Sequence, residues 1–281
     1  MERWGVAISD LHLGGLTSIR PPIVQLGSDS EDLHHGPITA QLWKAWQAAI
    51  KAHGSPDFLI VGGDIVNGKV RKDEGVGVWT ADLKKQAEYG AALINRWNAD
   101  VVFVTEGTRY HVDTVNADEL AARDVHNAAD YHGMYAPPDW NLDLYGAVVH
   151  VSHKMGGTKV FQYRGTPLSR ELTMNRVMSR ETEVFHANLI LRGHVHHFYQ
   201  VRAGANSWCC TIPCWQCRTK YEALENPFVW MPQIGYLVIA IEKGRIVKAE
   251  PMLADVVQRA ELIDVEEAKR RVKARNQTAR R

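Results

Sequence analysis

Five short groups of Asp, His, Thr and Arg carry the chemistry in this chain: Asp10-Leu11-His12, Gly63-Asp64, Gly107-Thr108-Arg109-Tyr110-His111, His150-Val151-Ser152-His153 and Gly193-His194-Val195-His196. Each follows an apolar run. Imidazole and carboxylate together form the donor set accepted by divalent ions of the Mn, Fe and Zn type. A carboxylate also reaches two ions at once, and a pair of ions ~3.5–4 Å apart clamps a phosphate and activates a water. Taken singly, these residues are ordinary. A His near a strand end is usually structural or solvated, and Asp10 and Asp64 would serve as helix caps or turn residues. Their shared placement after apolar runs favours the ligand reading.

Strands must hold these groups. Apolar, β-branched runs bounded by Gly, Asp or Asn predict strands at 4–8, 58–61, 101–104, 147–151 and 189–191, with a late pair at 236–241 and 245–249. Helical spacing appears at 39–53 and 80–98, and more weakly at 117–130 and 167–185. This alternation indicates an α/β domain, and the hairpin-like late strands make its sheet mixed. Strand ends of one sheet lie side by side, so residues scattered along the chain converge there.

The order of the motifs resembles the calcineurin-like metallophosphoesterase family over residues 5 to about 200. That family carries Asp-x-His, Gly-Asp, Gly-Asn-His-Asp/Glu, a His after a strand, and Gly-His-x-His. The resemblance implies a four-layer α-β-β-α sandwich with two mixed β-sheets, and two divalent metal ions (Mn, Fe, Zn or Ni). It further implies that Asp10, His12 and His196 hold the first ion, His153 and His194 the second, and Asp64 bridges them. Asn67 would stand beside the bridge. The third motif departs from the family pattern. Thr108 replaces the metal-binding Asn, where it would offer a neutral oxygen, and Arg109 replaces the catalytic His. His111, two residues on, is the candidate acid in its place, and Arg109 the candidate phosphate clamp. A Gly-Thr-x-x-His third motif resembles phage and prophage members of the family, to which His153-Lys154 and Tyr163–Arg170 are also similar.

Bulk properties leave this reading open. The chain has 281 residues, 45% apolar and 23% charged, with a net charge of +1, so overall charge suggests no polyanionic partner. No apolar run approaches the ~20 residues of a membrane span. With a first strand at the N-terminus and no signal peptide, a cytoplasmic protein is expected. All four cysteines lie between Cys209 and Cys217, which argues for reduced thiols packed behind the cleft over a zinc site or a disulfide framework. His150 reads as a core histidine, His197 as a cleft-lining one, and His34 and His35 as exposed in a long polar loop from 14 to 37. Trp140, Trp208, Trp215 and Trp230 fall in loop-like stretches, where they would either wall the cleft and stack bases or, as the stronger expectation for most of them, pack in the core. The expected domain covers 1–253. A helical or disordered tail, 254–281, follows, with seven Lys/Arg and no acid from Ala268 onward, which reads as a frayed end or a nucleic-acid-contacting arm.

The expected activity is metal-dependent hydrolysis of a phosphate ester, with a phosphodiester of a nucleotide or nucleic acid favoured over a monoester. A phosphomonoesterase, including a protein phosphatase, is the alternative enzyme. A catalytically silent nucleic-acid-binding module is the alternative of another class.

Overall fold

A computed structural model describes residues 2–25, 32–69, 77–113, 115–157, 160–204, 206–219 and 231–258, together with 265, 269, 270 and 273. Trp230 and most of the basic tail lie outside the described residues; Val265, Lys269, Arg270 and Lys273 are helical and exposed. The chain runs β1 (Arg3–Ile8), β2 (Ile23–Val24), β3 (Leu33–His34), α1 (Pro37–His53), β4 (Phe58–Val61), α2 (Leu83–Asn95), β5 (Val102–Val104), α3 (Arg109–Val112) and α4 (Ala117–Arg123). It continues through β6 (Asp139–Leu144), β7 (Ala147–Ser152), α5 (Gly165–Glu181), β8 (Leu189–Arg192), β9 (Gln200–Arg202), β10 (Trp208–Thr211), β11 (Gly235–Glu242) and β12 (Arg245–Leu253).

The strands form two five-stranded mixed sheets, in the orders β12-β11-β1-β4-β5 and β6-β7-β8-β10-β9. Side chains alternate across each strand, and this alternation sorts the apolar residues into layers. Ala7, Phe58, Ile60, Leu237 and Ile239 of the first sheet meet Leu142, Val149, Val151, Leu189 and Leu191 of the second. The opposite parity of the first sheet, Val6, Ile8, Leu59 and Val61, packs on Leu42 and Trp46 of α1 and Leu83, Ala87 and Ile94 of α2. On the outer face of the second sheet, Ile190 and Cys209 cover Leu168 and Leu172 of α5. Helices therefore flank both sheets, as the four-layer expectation requires.

Parallel pairing sets the direction of the site. β1 is parallel to β4 and β4 to β5, while β7 is parallel to β8. All five strands deliver their carboxyl ends to one edge of the sandwich, where open α/β sheets bind ligands.

Several expectations change. Trp140 lies in β6 and Trp208 in β10, both buried. Trp140 donates its indole N–H to the Val104 carbonyl at 2.7 Å. Trp215 is fully buried and packs edge-on against Trp46. These three indoles fill the core, the stronger of the two expectations for them, because bulky aromatic area is better used between layers. β6 is an added strand that alternates polar Asp139, Asn141 and Asp143 with apolar Trp140, Leu142 and Leu144, while β9 and β10 lie in stretches without a clean alternating signal. His35 is half-buried, donating Nε2–H to the Arg20 carbonyl at 2.9 Å and packing on Trp43, while His34 is exposed. The four cysteines are buried and form no disulfide, and burial pushes the thiols of Cys210 and Cys217 up to about 12. They are core residues, and no metal-holding group among the described residues includes them.

Candidate metal centre

The loops after β1, β4, β5, β7 and β8 meet where the two sheets face each other. Asp10, His12 and His196 form one group whose ligand atoms lie within 4.8 Å of one another, and Asp64, His153 and His194 form a second. In the first, the Asp10 Oδ1 is 3.2 Å from His196 Nε2 and 3.7 Å from His12 Nε2, and the two imidazole Nε2 atoms are 3.1 Å apart. In the second, the Asp64 Oδ2 is 3.0 Å from His153 Nε2. His12, Asp64 and His111 make a third such group, which shares His12 with the first and Asp64 with the second.

The local backbone shows how these side chains are aimed. Asp10, His12, Asp64, His194 and His196 all adopt positive φ, between 49° and 72°. Left-handed backbone costs a non-glycine residue about 1 kcal/mol or more. Five such residues in one cluster turn sharply off their strands and point their donors at a common point. Close approach of the two sheets also demands glycine. A Cβ on Gly193 would strike Ser9 Oγ and one on Gly107 would strike Asp64.

Carboxylates and imidazoles are held from behind. Asp10 accepts Ser9 Oγ–H at 2.6 Å and the His194 N–H at 3.0 Å, which ties the first sheet to the second. Asp64 accepts the Thr108 N–H at 2.6 Å and its Oγ–H at 3.1 Å. Thr108 thus grips the Asp64 carboxylate, which fixes it in place. His153 donates Nδ1–H to the Gly62 carbonyl at 2.6 Å, and His111 donates Nδ1–H to the Asn67 carbonyl at 2.8 Å. Backbone carbonyls that fix the imidazole tautomer in this way are typical of metal-ligating histidines.

That tautomer carries the fit to a metal. With Nδ1–H spent on Gly62, a neutral His153 faces Asp64 Oδ2 with its Nε2 lone pair, and Nε2 has no partner of hydrogen-bonding geometry. Two lone pairs 3.0 Å apart repel unless a cation lies against both. In the metal-free protein a proton serves: burial opposes the His153 imidazolium, yet Asp64 and Asp10 hold its pKa up at about 10. Burial also works against both carboxylates, but His196 and His153 hold Asp10 well below the usual range, and His153 and His111 do the same for Asp64. Burial instead keeps His12 neutral, with its pKa lowered to about 4, and lowers that of His194.

The sign for metal uptake follows. At pH 7.5 His153 holds a proton that a metal ion would displace, so binding should release at least one proton and tighten at least tenfold per pH unit until pH nears 10. Calorimetry of Mn²⁺ or Zn²⁺ binding in buffers of different ionisation enthalpy reads this directly; heat independent of the buffer would disprove it.

Asp118, at the start of α4, carries no sequence signal beyond a common helix-start acid. It is fully buried and accepts the backbone N–H groups of Ile65, Val66 and Gly107 at 3.0, 3.3 and 3.0 Å. One carboxyl therefore clamps the loop carrying Asp64 to the loop carrying Thr108. Burial, then the Asp64 charge, raises its pKa to about 7. Asp118→Ala would leave buried donors unpaired, at a cost of about 3 kcal/mol or more. The melting temperature should fall by roughly 6–12 °C; a calorimetric shift under 2 °C, on the order of measurement scatter, would refute the clamp. Gln86 supports the same loop by accepting the Asn67 and Gly68 N–H groups.

The remaining site candidates divide. His111 is brought in: its ring lies 4.5 Å from that of His12 and its Nε2 is 3.9 Å from Asp64 Oδ2. Arg109 is exposed at the first position of α3. His150 faces away, accepting from Arg192 Nη1 at 3.0 Å, while His197 lines a cleft beside His194.

No protein-family model and no curated protein sequence matches this chain. Among solved structures, the chain is similar to a dimetal phosphatase from Danio rerio, at 10% identity and a TM-score of 0.44 over 90% of this chain and 99% of that one. It is also similar to zinc-complexed Vps29 from Entamoeba histolytica, at 12% identity and a TM-score of 0.42 over 90% and 99%. A third is a Streptococcus pneumoniae protein described as a predicted phosphoesterase, at 12% identity and 0.39 over 93% and 95%.

Proposed function

We propose that this chain is a dinuclear-metal-dependent phosphoesterase acting on phosphodiesters of nucleotides or nucleic acids. The observation that carries this reading is the pairing of two Asp/His groups around Asp64, with the His153 and Asp64 lone pairs set against each other. Asp10, His12 and His196 would hold one divalent ion, and His153 and His194 the other, with Asp64 shared. Two such ions supply charge neutralisation at the phosphoryl group and an activated water.

The chain's own residues do the rest. Thr108 holds the Asp64 carboxylate in its bridging pose through two donors. His111, with Nδ1–H fixed on Asn67 and Nε2 turned toward the centre, delivers the proton taken by the leaving alkoxide as the P–O bond breaks. Exposed Arg109 stands next in the chain to Thr108 and would meet non-bridging phosphate oxygens in bidentate fashion.

The first test uses metal-stripped protein with bis(p-nitrophenyl) phosphate and p-nitrophenyl phosphate, supplied with Mn²⁺, Ni²⁺, Zn²⁺ or none. Metal-restored turnover of the diester above the monoester is expected. Preference for the monoester would move the chain to the phosphatases. No turnover with bound metal would leave a silent binding module.

A further inference from the structure

Gln86 is the one polar side chain on the buried face of α2, where it stands among Leu83, Ala87, Ala91 and Ile94. It is fully buried. A buried amide is costly unless its donors and acceptor are met, and here the whole capacity of the group is used. Its Oε1 accepts the Asn67 N–H at 3.1 Å and the Gly68 N–H at 3.0 Å. Its Nε2 donates to the Gly68 carbonyl at 3.1 Å and to the Thr80 carbonyl at 2.7 Å. The reverse orientation of the amide would set N–H against N–H and carbonyl against carbonyl, so this one is fixed. An apolar side chain would serve the packing of α2; the amide serves the loop after β4.

That loop carries the acceptor of His111. The Asn67 carbonyl and the Gly68 N–H belong to one planar trans peptide and point to opposite sides of it. Gln86 grips the N–H side, and His111 donates Nδ1–H to the carbonyl side at 2.8 Å. Rotation of this peptide would swing the carbonyl away from His111. Hydrogen bonds in such a chain also polarise one another, so the Gly68 contact strengthens the carbonyl as an acceptor. Gln216, in the cysteine-rich segment, steadies the same residue by donating Nε2–H to Asn67 Oδ1 at 3.2 Å. With Nδ1–H committed, His111 turns Nε2 toward the candidate metal centre, 3.9 Å from Asp64 Oδ2. Resting on the phosphodiesterase reading, in which His111 is the acid, we propose that Gln86 is its positioning residue: it orients the Asn67–Gly68 peptide so that His111 presents Nε2 to the leaving oxygen.

The test compares two diesters in Mn²⁺-supplied protein: a thymidine dinucleotide, whose leaving alkoxide needs a proton, and bis(p-nitrophenyl) phosphate, whose leaving group does not. Gln86→Met should lower the dinucleotide rate relative to the p-nitrophenyl rate about tenfold. In a His111→Ala background the same substitution should leave that ratio unchanged, because Gln86 acts through His111. A merely structural role would add its loss to that of His111→Ala. Gln86→Glu keeps an acceptor for the Gly68 N–H and should hold the ratio within about threefold; it decides the matter if Gln86→Met does not fold, and a fall of about tenfold there overturns the proposal. Nitrogen-15 NMR of the metal-free protein reads the arrangement without turnover. The neutral His111 ring should carry its proton on Nδ1 in the unaltered protein and share it between both nitrogens in Gln86→Met. If neither ester is hydrolysed but the Nδ1–H preference is lost in Gln86→Met, the hydrolase reading fails and the positioning role stands. An undiminished ratio in Gln86→Met, an added loss in the His111→Ala background, or an unaltered tautomer overturns it.

Discussion

Asp64→Asn should lower metal-restored hydrolysis of bis(p-nitrophenyl) phosphate by about a thousandfold or more, because it removes the carboxylate that the proposed function assigns to both ions. The geometry explains why the effect should be chemical and not a matter of folding. In Asp64 the Oδ1 is occupied by Thr108 and the Oδ2 faces His153 Nε2 at 3.0 Å. An amide keeps the Oδ1 acceptor for Thr108. At the other position its NH₂ donates to the His153 lone pair and satisfies it without any ion. The variant should therefore fold normally while its metal content, read by atomic absorption after dialysis, falls below that of the unaltered protein. Turnover within tenfold of the unaltered protein would sink the bridging role.

His111→Ala is expected to lower kcat by about a hundred- to ten-thousandfold on esters with poor leaving groups, such as dinucleotides, while leaving the metal content intact. The loss should shrink sharply for p-nitrophenyl esters, whose leaving group departs without a proton. This contrast separates two readings of the same position. His111 Nε2 is 3.9 Å from Asp64 Oδ2 and its ring touches His12, so it stands close enough to act as a ligand as well as an acid. Equal losses on both substrate types together with lost metal would make it a ligand.

How much of this was legible in the residues differs from element to element. The first-sheet strands and β7, β8 were readable because each is a short apolar run closed by Gly, Asp or a polar residue, and buried strands leave that mark wherever they occur. α1 and α2 were readable from their apolar faces. β6 alternates polar Asp139, Asn141 and Asp143 with apolar Trp140, Leu142 and Leu144, a strand signal that was present in the residues but not among the predicted strands, whereas β10, with Trp208-Cys209-Cys210-Thr211, carried none. The strand character of β10 comes from pairing with β8, which local propensity does not contain.

The candidate ligands themselves were determined by sequence: Asp and His in motifs after strands, in an order that matches one family, need no coordinates to be found. What holds them was decided only by tertiary structure. Asp118 looks like any acid at a helix start, and only the fold places its carboxyl under the N–H groups of Ile65, Val66 and Gly107. Thr108 was readable as a neutral oxygen in a ligand position, whereas its grip on Asp64 depends on the approach of the β5 loop to the β4 loop. Gln86 and His111 hold the two sides of one peptide although they lie on either side of β5 in the sequence, a juxtaposition made only when α2 packs beside the β4 loop. Residue type and strand-end position set which atoms can bind a metal. The distances that set lone pair against lone pair, and so call for a cation, exist only once two sheets have closed on each other.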